Sequence, residues 1–244
     1  MGGEDKSLEM RVDPRPGSID ESLGGIGRII AVVSGKGGVG KSVISAVMAL
    51  QLVRSGKRVG MLDLDFHSPC LHIILGAGGE RPVEDRGLIP PVIRGVRLMS
   101  VVYFTGERAL PLKGREISDA LVEIMTVTRW GDLDFLIIDA PPGMGDELLD
   151  LVRLIRRAEF LIVTTPSPLA MSAVPKIRSV LSDAGGRILG VVLNMDRTGI
   201  HEGAYAGIIP FDSELERCIG DPERMMETMF SEALDKIVKS LTGA

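Results

Sequence analysis

An apolar run, Ile29-Ile30-Ala31-Val32-Val33, passes through Ser34 into Gly35-Lys36-Gly37-Gly38-Val39-Gly40-Lys41-Ser42. The spacing from Gly35 to Ser42 fits the phosphate-binding loop G-x-x-x-x-G-K-[ST], with an apolar strand before it and a helical pattern after it. Gly35, Gly37, Gly38 and Gly40 permit backbone conformations and close approaches that a Cβ blocks. Successive N–H groups, with Val39 among them, can then form a nest for phosphate oxygens. The helix that follows points its positive end at the same anion. Lys41 is placed to reach the terminal phosphates, and the Ser42 hydroxyl to ligate Mg²⁺.

Composition narrows the frame. The chain has 244 residues, 45% of them hydrophobic, which suits one large α/β domain. With a net charge of −5 and no basic block, nucleic acid is not indicated as a direct partner. Apolar runs fall well short of a membrane span, and the polar N-terminus carries no signal-peptide pattern. Two distant cysteines, Cys70 and Cys218, do not form a disulfide framework, so a cytoplasmic setting is expected.

Charges, Pro14 and Pro16 predict a flexible arm over residues 1–27, with a short helix near Ile19–Leu23. From residue 28 to 244 a single domain is expected. Strands are read at Arg28–Ser34, Arg58–Leu62, Val96–Phe104, Phe135–Ile138, Glu159–Thr164, Ile188–Asn194 and Ala206–Ile209. Helices are read at Lys41–Ser55, Cys70–Leu75, Arg115–Arg129, Asp146–Arg157, Pro168–Ala184 and Pro222–Leu241. This alternation predicts a mostly parallel sheet with helices on both faces. Ligands in such sheets bind beyond the carboxyl ends of the strands. Asp63, Asp65 and Asp139 each follow an apolar strand there.

Asp139, closing Phe135-Leu136-Ile137-Ile138, reads as a carboxylate that holds Mg²⁺ together with Ser42. Pro141-Pro142-Gly143 after it predicts a stiff turn in which Gly143 offers its N–H to a third phosphate, a loop that senses the phosphate's presence. Met225, Met226, Met229, Phe230, Leu234, Ile237, Val238 and Leu241 recur at helical spacing. They are read as a core face, not a stable membrane anchor, because the polar face mixes acids and bases. His67, His72 and His201 lack ligand spacing.

Lys36, the second lysine in the loop, makes the stretch resemble the deviant Walker A motif of the MinD, ParA, Mrp and nitrogenase iron-protein ATPases, P-loop NTPases of the SIMIBI type. The resemblance covers about residues 25–241. It implies ATP and Mg²⁺ as ligands and a homodimer that sandwiches two nucleotides, with Lys36 reaching the partner's phosphates. Lys36, Lys41 and Asp65 are then the catalytic residues. Asp65 positions the attacking water, and Asp63 joins Ser42 and Asp139 in the metal shell. Asn194 resembles the family's adenine-contacting asparagine, and Pro210-Phe211-Asp212 the loop that wraps the base. The sequence departs at Val43, where the family carries a second hydroxyl beside the α-phosphate.

Leu62-Asp63-Leu64-Asp65-Phe66-His67-Ser68-Pro69, Ile138-Asp139-Ala140-Pro141-Pro142-Gly143-Met144-Gly145-Asp146 and Thr164-Thr165-Pro166-Ser167-Pro168 look most like the Mrp/Nbp branch of iron–sulfur carriers. That branch has a Cys-x-x-Cys segment after the strand-end asparagine. Here residues 195–209 contain no cysteine, and cluster ligation needs thiolates. The sequence therefore predicts a Mg²⁺-dependent ATPase linked to iron–sulfur maturation, without a stable cluster on this chain alone and with an iron–sulfur protein as partner. A MinD/ParA-like positioning switch is the alternative.

Overall fold

The computed structural model describes residues 15–105, 114–199 and 203–244. Its centre is β1 (Ile26–Val33), whose side chains alternate between two apolar layers. Ile29, Ala31 and Val33 enter one cluster, and Ile30 and Val32 the other. A strand buried on both faces reads as a continuous apolar run because the two-residue period puts successive side chains on opposite sides.

The other strands of the sheet are β2 (Val59–Asp63), β3 (Val92–Ile93), β4 (Val96–Ser100), β5 (Leu133–Asp139), β6 (Ala158–Thr164), β7 (Arg187–Asp196) and β8 (Gly207–Pro210). Their order across the sheet is β8-β7-β6-β1-β5-β2-β4-β3. Every pairing is parallel except that of β3 with β4.

One layer carries α1 (Arg15–Ser22), α3 (Arg115–Val127), α4 (Asp146–Leu154) and α5 (Val174–Asp183). The other carries α2 (Lys41–Arg54) and α6 (Met229–Thr242). The mostly parallel sheet between two helical layers is the architecture expected from the sequence. Met225, Phe230, Leu234, Ile237 and Val238 are buried in the second layer and pack the core, whereas Met229, expected on the same face, is exposed. Among the described residues no helix is long and apolar enough to cross a membrane.

Four expectations need correction. The expected arm does not extend to residue 27: α1 begins at Arg15, and Ile19 and Leu23 are buried in the first cluster. Ser22 Oγ also donates to the Met125 carbonyl of α3 at 2.9 Å. Residues 1–14 lie outside the described residues. The expected strand 96–104 stops at Ser100, whose hydroxyl accepts the Val102 N–H and starts a helical turn over Val102–Thr105. The expected helix 168–184 is two pieces, Pro168–Met171 and α5, because Pro175 lacks the N–H that a continuing helix needs. The last helix is likewise split. Thr228 caps α6 by accepting the Ser231 N–H, while Asp221 caps Pro222–Met225.

Candidate nucleotide site

Because the strands run parallel, β1, β2, β5, β7 and β8 all deliver their carboxyl ends to one edge of the sheet. The glycine-rich loop leaves β1 at that edge and enters α2 at Lys41. Gly38 and Gly40 have φ of +78° and +86°, in the left-handed region that favours glycine. At Gly40 a Cβ would also stand 2.3 Å from Asn194 Nδ2, so the position is closed to any side chain. Around Gly37 and Gly38 the opposite holds: nothing lies within 4 Å of where a Cβ would be, and the loop faces open space. Lys36 is exposed on this rim, whereas Lys41 is buried beneath it.

Lys41 Nζ lies 2.6 Å from Asp139 Oδ1. Ser45, one turn further along α2, donates to the same oxygen at 3.0 Å. Among the described residues the other oxygen, Oδ2, is buried with no hydrogen-bond partner. Asp63 stands beside Asp139 in the register of β2 with β5. Both continue the face of Met61 and Ile137, which looks toward α2. Burial, together with the neighbouring Asp139 carboxylate, pushes Asp63 up to about 7. Its oxygens accept from the N–H groups of Asp65 and Leu71 and from Ser100 Oγ.

Asp65 is nearly buried, and its Oδ1 accepts the His67 and Ser68 N–H groups, fixing the turn after β2. That turn brings Cys70 against Ser42. Burial raises the Cys70 thiol, and the two aspartates add to the effect.

At the other end of the loop, Asn194 Nδ2 donates to the Val39 carbonyl at 2.8 Å, leaving Oδ1 buried without a hydrogen-bond partner among the described residues. Met195 adopts φ +59°, and Asp196 accepts the Thr198 and Gly199 N–H groups, closing a tight turn. The turn places the Arg197 guanidinium 3.6 Å from the Phe211 ring centroid. The Phe211 N–H donates to the Asp196 carbonyl at 2.7 Å, tying the ends of β7 and β8 together.

Ser42, Lys41, Asp63 and Asp139 thus converge on one locus, and Asn194 and Phe211 flank it. Besides Asp65, held by the His67 and Ser68 N–H groups, three expected residues are otherwise engaged. The Gly143 N–H, expected to face a third phosphate, donates to the Ser34 carbonyl at 2.8 Å. Asp212 spends both carboxylate oxygens locally: it caps Ser213–Arg217 and accepts the Phe230 N–H. Val43 packs against the second core cluster. Sequence reading passed over Ser45 and Arg197. Ser45 is four residues from Lys41, so the two share a helix face, and this spacing was a usable signal. Nothing in the sequence singled out Arg197.

Two features of the locus suit a metal-bound nucleotide. The loop offers an open cradle of backbone at glycines. Asp139 Oδ2 and Asn194 Oδ1 are buried acceptors without donors, an arrangement that costs about 1–3 kcal/mol per group unless a ligand supplies the partner.

The family model described as ParA: NUBPL iron-transfer P-loop NTPase matches residues 25–230. The chain belongs to this family. The iron–sulfur cluster carrier protein of Pseudomonas fragi is 41% identical over 177 residues, which is 71% of this chain and 62% of that protein. The carrier protein of Saccharolobus solfataricus is 40% identical over 171 residues, 68% of this chain and 58% of its own length. The chain therefore spans less than two thirds of these relatives. Among solved structures, the nucleotide-binding protein of Archaeoglobus fulgidus in complex with ADP is 31% identical. It covers 87% of this chain and 93% of its own, with a TM-score of 0.71. MinD of Pyrococcus horikoshii, complexed with Mg-ADP, has a TM-score of 0.67 at 23% identity, covering 88% of this chain and 96% of its own. That second likeness speaks to the fold alone.

Proposed function

We propose that this chain binds ATP with Mg²⁺ at the Gly35–Ser42 loop, hydrolyses it as a homodimer, and serves the maturation of iron–sulfur proteins. The observation that carries the reading is Asp139, the strand neighbour of Asp63: one oxygen is held by Lys41 and Ser45, and the other is buried and unpartnered among the described residues.

In this reading the loop N–H groups cradle the phosphates, and Lys41 exchanges Asp139 for the terminal phosphates. Ser42, Asp139 and Asp63 hold the cation, which when bound neutralises charge developing on the transferred phosphoryl group. A set of one or two carboxylates and a hydroxyl suits Mg²⁺, which keeps waters and phosphate oxygens for the rest of its shell. Asp65 orients the attacking water, for which its carboxylate must leave the His67 and Ser68 N–H groups. Gly143 must likewise exchange the Ser34 carbonyl to meet a third phosphate. Lys36, exposed on the rim, acts on the nucleotide of the second copy. Asn194 Oδ1 is an acceptor suited to the exocyclic amine of adenine.

The link to iron–sulfur chemistry is supported by the family model and by the names of the relatives. With Cys70 half-buried near Ser42 and Cys218 buried, the chain lacks the paired thiolates of a carrier. The cluster is accordingly handled with a protein that supplies the missing cysteines.

Phosphate release from ATP, measured with and without Mg²⁺, tests the activity. Turnover that needs Mg²⁺ and is lost in Lys41→Ala is expected, and unchanged turnover in that variant overturns the reading. Anaerobic reconstitution with iron and sulfide tests the cluster. The expected result is no stable cluster on the chain alone. About four irons per dimer, lost in Cys218→Ser, would return the carrier role to this chain itself.

A further inference from the structure

Asp139 takes both of its hydrogen bonds on one oxygen. Lys41 Nζ and Ser45 Oγ meet Oδ1 at 2.6 and 3.0 Å, and among the described residues Oδ2 has no hydrogen-bond partner. Ser45 is fully buried, and its hydroxyl also lies 3.0 Å from the Lys41 carbonyl one turn back. A helix-interior serine satisfies itself on that carbonyl alone. The additional approach to Asp139 joins α2 to the end of β5.

When Lys41 turns to the phosphates, Asp139 gives up its ion pair. The Ser45 hydroxyl is then the remaining side-chain donor of this group on Oδ1. A buried carboxylate with one oxygen anchored and the other bare presents that bare oxygen in a fixed direction. Loss of a group that orients a metal-binding carboxylate from behind typically costs about 10–100-fold in metal affinity. We propose that Ser45 is the positioning residue for the metal site: it holds Asp139 in its rotamer through the departure of Lys41, so that Oδ2 stays aimed at the cation. This inference rests on the Mg²⁺–nucleotide reading and adds to it a residue that touches neither ligand.

The test is equilibrium binding of a fluorescent ADP analogue to the full chain, titrated with Mg²⁺, in wild type, Ser45→Ala and Ser45→Cys. In EDTA, affinity should be equal in all three, because Ser45 does not face the phosphates. With Mg²⁺, half-saturation should rise about tenfold in Ser45→Ala. Ser45→Cys, with a weaker donor of similar size, should fall between. The same order should appear in the Mg²⁺ concentration for half-maximal ATP hydrolysis, while the rate at saturating Mg²⁺ changes little. An unchanged Mg²⁺ dependence in Ser45→Ala overturns the proposal. So does a joint fall of EDTA affinity and thermal midpoint, which is the mark of a packing role. Should Ser45→Ala not fold, Ser45→Cys decides by the same titration. If wild type binds ADP with no dependence on Mg²⁺, the parent reading fails first, and that outcome is distinct from a defect confined to Ser45.

Discussion

Lys41 and Asp139, 98 residues apart, form a buried ion pair of 2.6 Å between the start of α2 and the end of β5. The pair gives Lys41 a structural part beside the phosphate-binding part proposed for it. Removing one member of a buried pair leaves an uncompensated charge and costs roughly 3–5 kcal/mol. Lys41→Ala should therefore lower the urea midpoint of the nucleotide-free protein as well as abolish ATP binding. Lys41→Ala combined with Asp139→Asn should regain part of the stability and none of the binding. Equal stability of wild type and Lys41→Ala would mean that the pair contributes nothing.

Asp63 makes stability depend on pH. Its carboxyl, ordinarily at 3.8, is raised to about 7 by burial. Below 3.8 both the folded and unfolded forms carry the proton. As pH rises from there toward 7 the unfolded form releases it first, so wild-type stability falls, at up to ~1.4 kcal/mol per pH unit. Asp63→Asn removes this dependence. The stability of the variant relative to wild type should grow from pH 4.5 to 7 and then level. Urea unfolding of the nucleotide-free proteins at pH 4.5, 6 and 7.5 reads this directly, and a constant difference would count against it.

Assembly separates Lys36 from Asp65. Asp65→Ala should bind ATP, hydrolyse it at least tenfold more slowly and accumulate as a dimer in light scattering; estimates of this size follow from loss of a group that positions the nucleophile. Lys36→Ala should bind ATP as a monomer. A monomeric Asp65→Ala protein at saturating ATP, with normal turnover in Lys36→Ala, would sink the sandwich.

The Arg197–Phe211 stack lies where the carboxyl ends of β7 and β8 meet, three residues past Asn194, and is proposed to carry the base. Phe211→Ala removes the aromatic face and frees the guanidinium, and a stacking contact of this kind is worth about 1–3 kcal/mol. ATP affinity should fall accordingly, while inhibition by inorganic tripolyphosphate stays the same. Parallel losses for both ligands would place the effect on the loop instead of the base.

Much of this was legible in the sequence because strands buried on both faces announce themselves as unbroken aliphatic runs. Ile29–Val33 and Phe135–Ile138 are such runs, and the residues that follow them lie at the sheet's working edge by topology alone. The missed details have other causes. The β3 strand is two residues long and antiparallel, too short to carry a period. The break at Thr228 depends on a hydroxyl accepting one N–H, a local contest that hydrophobic spacing does not register. Asp212 sits where the motif places a base-wrapping residue, yet Phe230, 18 residues away, claims its second oxygen. Arg197 has meaning only through its contact with Phe211, which sequence separation hides.

The bond from Gly143 N–H to the Ser34 carbonyl joins two loops by main chain alone. No side-chain exchange at residue 34 or its neighbours erases it, and proline at residue 143 is the one replacement that deletes the donor outright. With φ at +113°, residue 143 also strains under any side chain. The posture of the loop proposed to sense a third phosphate is thereby written into the peptide backbone, while the response proposed for it is left to side chains that can vary. Tuning how readily the loop lets go thus falls to the groups competing for that N–H and carbonyl, and the latch itself needs no redesign.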